Sequence, residues 1–200
     1  MSDILRDHHA SPKFMKRLYT PRDFYRFMND MLSNVKDMRG ARRKNLITIQ
    51  FGERIMLAVT EVNGCRYCSY FHTQVALKAG MQGAEIRETL SGDFSQAPAD
   101  ELPALYFAQH YAENAGKPEP EIVNQIIAIY GNEKSRAIIG YIRAIMIGNA
   151  WGNAFDSMRL RLKGQPANIL TAGQELGVIF GPFVMAPFIL IKNLLKAKTG

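Results

Sequence analysis

Two cysteines, one tryptophan and four histidines are all that the 200 residues contain of these types, and each scarcity excludes something. Two cysteines cannot build the multi-bridge framework that holds small secreted domains together. His8, His9 and His110 show no metal-ligand spacing, and no second Cys-x-x-Cys exists to complete a structural zinc site. Low-complexity tracts and fixed-period repeats are missing, which argues against a solenoid or a disordered array. The opening residues, MSDILRDHHA, lack the basic start and apolar run of an export signal, so the expected location is a reducing cytoplasm. Strand alternation punctuated by hairpin turns is also lacking, as is the strand and helix alternation of a thioredoxin-like domain.

What is present reads as one folded, all-α domain. Apolar residues make up 47% of the chain and charged residues 22%, the balance of an ordinary globular protein. The net charge of +7 is spread over several segments and no nucleic-acid-binding module is recognisable, so no nucleic-acid partner is expected. The densest cluster, Arg39, Arg42, Arg43 and Lys44, reads as a solvated basic loop between helices.

Apolar residues at three- and four-residue intervals predict a helix from Pro21 to Arg39, ended by Gly40, and a second over about 49–62, stopped by Asn63-Gly64. Further helices are expected from Cys65 to Lys78, over a short stretch at 82–91, from Asp100 to Asn114, and from Pro120 to Tyr130 with a break at Gly131. Residues 133–163 read as one long or kinked helix in which Gly140, Gly148 and Gly152 allow close approach by neighbours. Residues 1–20 form an N-terminal segment, 21–165 the helical domain and 166–200 an apolar C-terminal extension.

In that extension, Leu176 to Ile191 is a stretch of sixteen residues without a charge. It is shorter than the ~20 residues of a spanning helix, and Pro182 and Pro187 are expected to interrupt it. The preferred expectation is packing across a subunit interface. Shallow contact with a membrane surface, aided by Lys192, Lys196 and Lys198, is the alternative.

The chemistry concentrates between Glu53 and His72. On a helix beginning near Cys65, steps of three and seven residues turn through about 300° and 700°, so Cys65, Cys68 and His72 share one face. A Cys-x-x-Cys pair at a helix start meets unpaired amides and the positive end of the dipole, which favour the reactive thiolate. His72, one turn beyond Cys68, is placed to take its proton. Cys68 is therefore the favoured attacker and Cys65 the resolving thiol that closes a disulfide on the sulfenic acid, although the reverse order is also consistent with the pattern. Glu53, with Met56 and Leu57 one turn along, reads equally as a general base in apolar surroundings or as an acidic residue near a helix start.

Glu53, eleven residues, then Cys65-Arg66-Tyr67-Cys68 and His72 resembles the motif of the AhpD-like branch of the alkylhydroperoxidase and carboxymuconolactone decarboxylase superfamily. The resemblance covers about residues 45–115, and 133–163 looks like the closing helices of the same fold. It implies a helical domain assembling into trimers or hexamers, and hydroperoxide reduction in which the glutamate and histidine relay protons to the cysteines. It also implies no cofactor beyond the cysteines, and a recharging dithiol reductant, thioredoxin-like or a lipoyl protein. The best-studied relay of the family has a second histidine between the cysteines. Here Tyr67 stands in that place, and a phenol is a poor relay base near neutral pH, so Tyr67 is a hydrogen-bond donor or packing residue of the site.

Three other readings use the same residues. Cys65, Cys68 and His72, with Glu53, could serve as zinc ligands. The other branch of the superfamily performs decarboxylase or lactone chemistry that does not depend on a cysteine pair. A non-catalytic assembly or membrane-surface protein would use the cysteines only as small buried groups. His110 reads as a partner-satisfied histidine, the stripe Phe24, Phe27 and Met31 as core, and Trp151 with Asn153 and Asp156 as residues that could line a pocket.

Overall fold

In the computed structural model, which describes residues 17–199, the chain forms seven helical elements, with no strand among those residues. They are α1 (Pro21–Arg43), α2 (Ile49–Asn63), α3 (Arg66–Lys78), α4 (Gly83–Thr89), α5 (Leu102–Glu113), α6 (Pro120–Leu162) and α7 (Ala172–Thr199). Nearly all of the N-terminal segment, His8 and His9 included, lies outside the described residues, as do the side chains of Arg42, Lys196 and Lys198.

The long α6 is the spine, packed against α1, α2, α3, α5 and α7. Its inward row of Ala137, Ile138, Ile142, Met146 and Ala150 meets Phe24 and Phe27 from α1, Ile55 and Val59 from α2, and Leu105 and Ala108 from α5. Each fully buried Ile, Leu or Phe in this core stabilises the fold by about 1.5–3 kcal/mol. Gly131, at φ 72° and ψ 165°, kinks α6 between its two helical stretches, where the sequence places the break.

Helix α2 holds the first half of the site rigidly. The Thr48 hydroxyl caps its start by accepting the Phe51 N–H at 3.0 Å. Gly64, left-handed at φ 66°, ends it by donating to Thr60 O at 2.8 Å. An alanine or larger residue at Gly64 would be strained there, so Asn63-Gly64 is the stop that the sequence indicates. Between these caps, Arg54 donates to Glu85 at 2.5 Å and to Glu101 at 2.8 Å, tying α2 to α4 and to the start of α5.

Four expectations are corrected. Helix α1 does not stop at Gly40 but runs to Arg43, with Asn45 taking up the positive φ of 53° beyond it. Gly40 has open space around it and no positive φ, so the helix passes through it. Arg39 and Arg43 therefore lie on a helix end rather than a loop, and Lys44 pairs with Glu133 at 2.6 Å. The C-terminal prolines do not interrupt the extension, because Pro182 and Pro187 sit inside the continuous α7. A proline removes one amide donor and crowds the preceding turn, but packing against α1 and α6 holds the helix together. Ala172–Asn193 is also long and apolar enough to cross a membrane, with a mean hydropathy of 1.7, so the uncharged run understates the apolar length.

Candidate functional site

Cys65 is the N-cap of α3. Its sulfur accepts the Cys68 N–H at 3.3 Å, an arrangement usually made by a serine or aspartate oxygen. The turn that presents it is held from behind. Asn153 on α6 donates to Asn63 O at 2.8 Å and to Arg17 O at 2.9 Å, and the Tyr19 hydroxyl donates to Asn63 Oδ1 at 2.6 Å. Asn153 thus fastens the corner between α2 and α3 instead of facing a ligand.

The cysteines are free thiols in unequal settings. Cys65 is fully buried, whereas Cys68 lines an open cavity of about 580 Å³ together with Met56, Tyr67, Phe71, His72 and Trp151. A hydrogen bond from the Cys68 side chain, assisted by the Cys68 and Tyr67 backbone amides, holds the Cys65 thiol below the ordinary thiol range against the opposing effects of burial and Asp156. The same hydrogen bond, then burial and the charge on Cys65, push Cys68 upward. In the reduced pair, then, Cys65 is the sulfur that ionises more readily and Cys68 the one that holds its proton more tightly.

That division separates two properties that the motif alone combines. The sulfur easier to ionise is the one that substrate cannot reach, and the sulfur on the cavity wall holds the proton. A group on the cavity wall able to accept that proton is His72, one helical turn after Cys68. Its Nδ1 is 2.8 Å from Glu53 Oε2, and both side chains are nearly buried. With Nδ1–H donating to the carboxylate, Nε2 is the nitrogen left to exchange protons. Glu53 therefore partners a ring on the next helix, a contact that either of the two roles open to it on sequence grounds allows.

Helix α6 reaches this pair through glycine. A Cβ built on Gly152 would stand 2.7 Å from Cys65 Sγ, and one on Gly148 would stand 3.8 Å from Cys68 Sγ. Trp151 and Phe155, between and beyond these glycines, form the far wall of the cavity. The Trp151 indole N–H also donates to Ile179 O of α7 at 2.9 Å, joining the cavity wall to the C-terminal helix. Asp156 does not line the cavity. It binds Arg66 of the motif and, at 3.1 Å, Arg159, while the Arg66 guanidinium lies 5.0 Å from the Tyr67 ring centre. Tyr67 itself is half-exposed on the cavity wall.

Sequence alone does not single out Phe71, Phe155 or the Arg66–Asp156 pairing for the site, and of the two aromatics only Phe71 lies near enough to the motif for helical periodicity to flag it. His110 sits apart, bound to Glu119 and Asn114, in keeping with a satisfied surface histidine. Among the described residues no three His, Cys, Asp or Glu side chains come together as a metal site would require.

Residues 23–113 match the model of the carboxymuconolactone decarboxylase family. The match spans α1 to α5, hence Glu53, both cysteines and His72, and leaves out α6 and α7. No curated protein and no solved structure matches the chain.

Proposed function

We propose that the protein is a thiol peroxidase of the AhpD-like type, which reduces hydroperoxides with an apolar body and is recharged by a dithiol. The observation that carries this reading is the pair of free cysteines at the head of α3, one on the wall of an apolar cavity beside a Glu53-paired histidine. Cavity size supports a substrate larger than hydrogen peroxide, since about 580 Å³ falls in the range that holds small organic ligands.

The chemistry closes as follows. Cys68 gives its proton to His72 and attacks the outer oxygen of the hydroperoxide. The O–O bond breaks, the sulfur is oxidised to sulfenic acid, and the alkoxide leaves as an alcohol with the proton returned from His72. The Cys65 thiolate then attacks the Cys68 sulfur and expels hydroxide, which takes a proton and departs as water, leaving a disulfide. Two electrons from the two sulfurs reduce one hydroperoxide. A reduced dithiol, thioredoxin-like or lipoyl, restores the pair by thiol–disulfide exchange. Access supports this order of the thiols: Cys65 is sealed, and its lowered pKa suits it to resolve rather than to meet substrate.

The family name would also allow decarboxylase or lactone chemistry, but such chemistry gives no role to a paired thiol on the cavity wall. The two are separated by treating reduced protein with cumene hydroperoxide while counting free thiols and peroxide. Two thiols lost per hydroperoxide consumed is the expected result, with turnover abolished in Cys68→Ser. Peroxide loss unaltered in both Cys65→Ser and Cys68→Ser refutes the assignment.

A further inference from the structure

The outer face of α7 has no cover. At 100° per residue, Phe180, Phe183, Val184, Phe188, Ile191 and Leu195 fall within an arc of about 140°. They are 58–76% exposed. Taking roughly 200 Å² for a large apolar side chain in the open, these six leave on the order of 750 Å² of apolar surface in water. That exceeds the ~300–600 Å² of the largest patch on an ordinary monomer, and it matches the ~800 Å² that each partner contributes to a stable interface.

This face is built to stay in place. Val178 and Ile189, on the opposite side of α7, are buried in the core with Phe24. Gly177 and Gly181 let Pro21 and Phe24 approach the helix to within contact. The buried Glu175 accepts from Ser157 at 2.7 Å and from Arg161 at 2.9 Å, and Trp151 grips Ile179 O. An apolar surface fixed in this way presents a shape for a partner to fit.

We infer that this face is closed by the same face of a second copy of the chain, in an antiparallel pairing of two α7 helices. Three observations select that occupant. The exposed area is the share one copy supplies to a stable dimer. The basic residues that could meet lipid headgroups begin only at Lys192, at the C-terminal end of the stripe, and the inner side of the helix is buried apolar core, whereas a helix lying on a membrane carries basic residues along a polar side. The stripe is also self-complementary. Phe180 and Phe188 lie four residues either side of Val184, so a two-fold axis near Val184 sets Phe180 of each copy beside Phe188 of the partner subunit. An uncharged face is where two chains of net charge +7 can meet without repulsion. The pairing does not depend on the peroxidase reading, but Trp151 connects it to the cavity, so a dimer would brace the far wall of the site.

The test is the mass of the full chain by light scattering, for wild type and F183D/F188D, with circular dichroism to confirm that both are helical. Wild type is expected at more than the 22.5 kDa of one chain, and the double variant at a lower mass. Independently of any destabilising change, Val184→Cys in a Cys65→Ser/Cys68→Ser background is expected to form a disulfide-linked dimer on air oxidation. A wild type of one-chain mass, or a mass unaltered in F183D/F188D, overturns the inference. So does pelleting of monomeric wild type with vesicles of phosphatidylcholine and phosphatidylglycerol that F183D/F188D abolishes, an outcome that assigns the face to lipid.

Discussion

Gly152→Ala is the most demanding perturbation, because a single methyl group would be forced onto the buried thiol. Its Cβ would stand 2.7 Å from Cys65 Sγ, 3.6 Å from the Tyr67 ring and 3.7 Å from Cys68 Sγ. Cys65 has little room to yield, being fully buried and bonded to the Cys68 amide. Overpacking of this kind costs about 1–3 kcal/mol, while replacing a mid-helix glycine with alanine returns about 1 kcal/mol. Gly148→Ala is the internal control, one turn away on the same helix. Its nearest neighbours would be 3.7 Å and 3.8 Å distant, an ordinary contact, so only the helix gain of up to about 1 kcal/mol applies. The two variants should differ by about 1–3 kcal/mol, or about 2–12 °C in melting temperature for a chain of this size. Thermal denaturation followed by circular dichroism measures this directly, with iodoacetamide labelling to report on the thiols. Gly152→Ala should also label abnormally, since the cysteine pair has to separate from α6. Equal stability and equal labelling in the two variants would refute the idea that Gly152 sets the depth of the site.

Three further outcomes are expected. His72→Ala and Glu53→Gln should lower the rate of hydroperoxide reduction by about 10²-fold or more in stopped-flow assays, leaving the reduced fold unchanged; rates within twofold of wild type would remove the proton relay. Asp156 opposes ionisation of Cys65, so Asp156→Asn should move the thiolate absorbance midpoint to lower pH, whereas Cys68→Ala, which removes the donor, should move it higher. Arg161, followed by Ser157, holds the Glu175 carboxyl below the usual carboxylate range. Its contribution to docking α7 is therefore present above that usual range and lost as pH falls through the lower, folded value. Fluorescence of the single tryptophan, bonded to Ile179 O, should report the undocking on acidification, and Glu175→Gln should flatten that transition.

The helices were largely legible because period and stop signals agree. Asn63-Gly64 needs a left-handed residue, and Gly131 breaks a run that resumes at once. Legibility failed where tertiary packing overrode a local rule, as when Pro182 and Pro187 were absorbed into α7 and Gly40 into α1. At the site, Cys68 and His72 were readable as neighbours one turn apart. The Glu53–His72 contact was not, because it depends on the angle between α2 and α3, nineteen positions apart in sequence. Trp151, Phe155 and Asp156 come from a helix some 90 residues away, and the spacing within the motif carries no information about them. The unequal thiols were equally hidden, since only the packing of α6 against α3 shows which sulfur is sealed.

The account stands on Cys68 meeting the hydroperoxide, and the direct measurement is sulfenic acid trapping. Cys65→Ser protein, treated with one equivalent of cumene hydroperoxide and dimedone, should carry a single adduct at Cys68 by peptide mass spectrometry, while Cys68→Ser should carry none. An adduct on Cys65 in the Cys68→Ser protein, or no adduct in either, would contradict it.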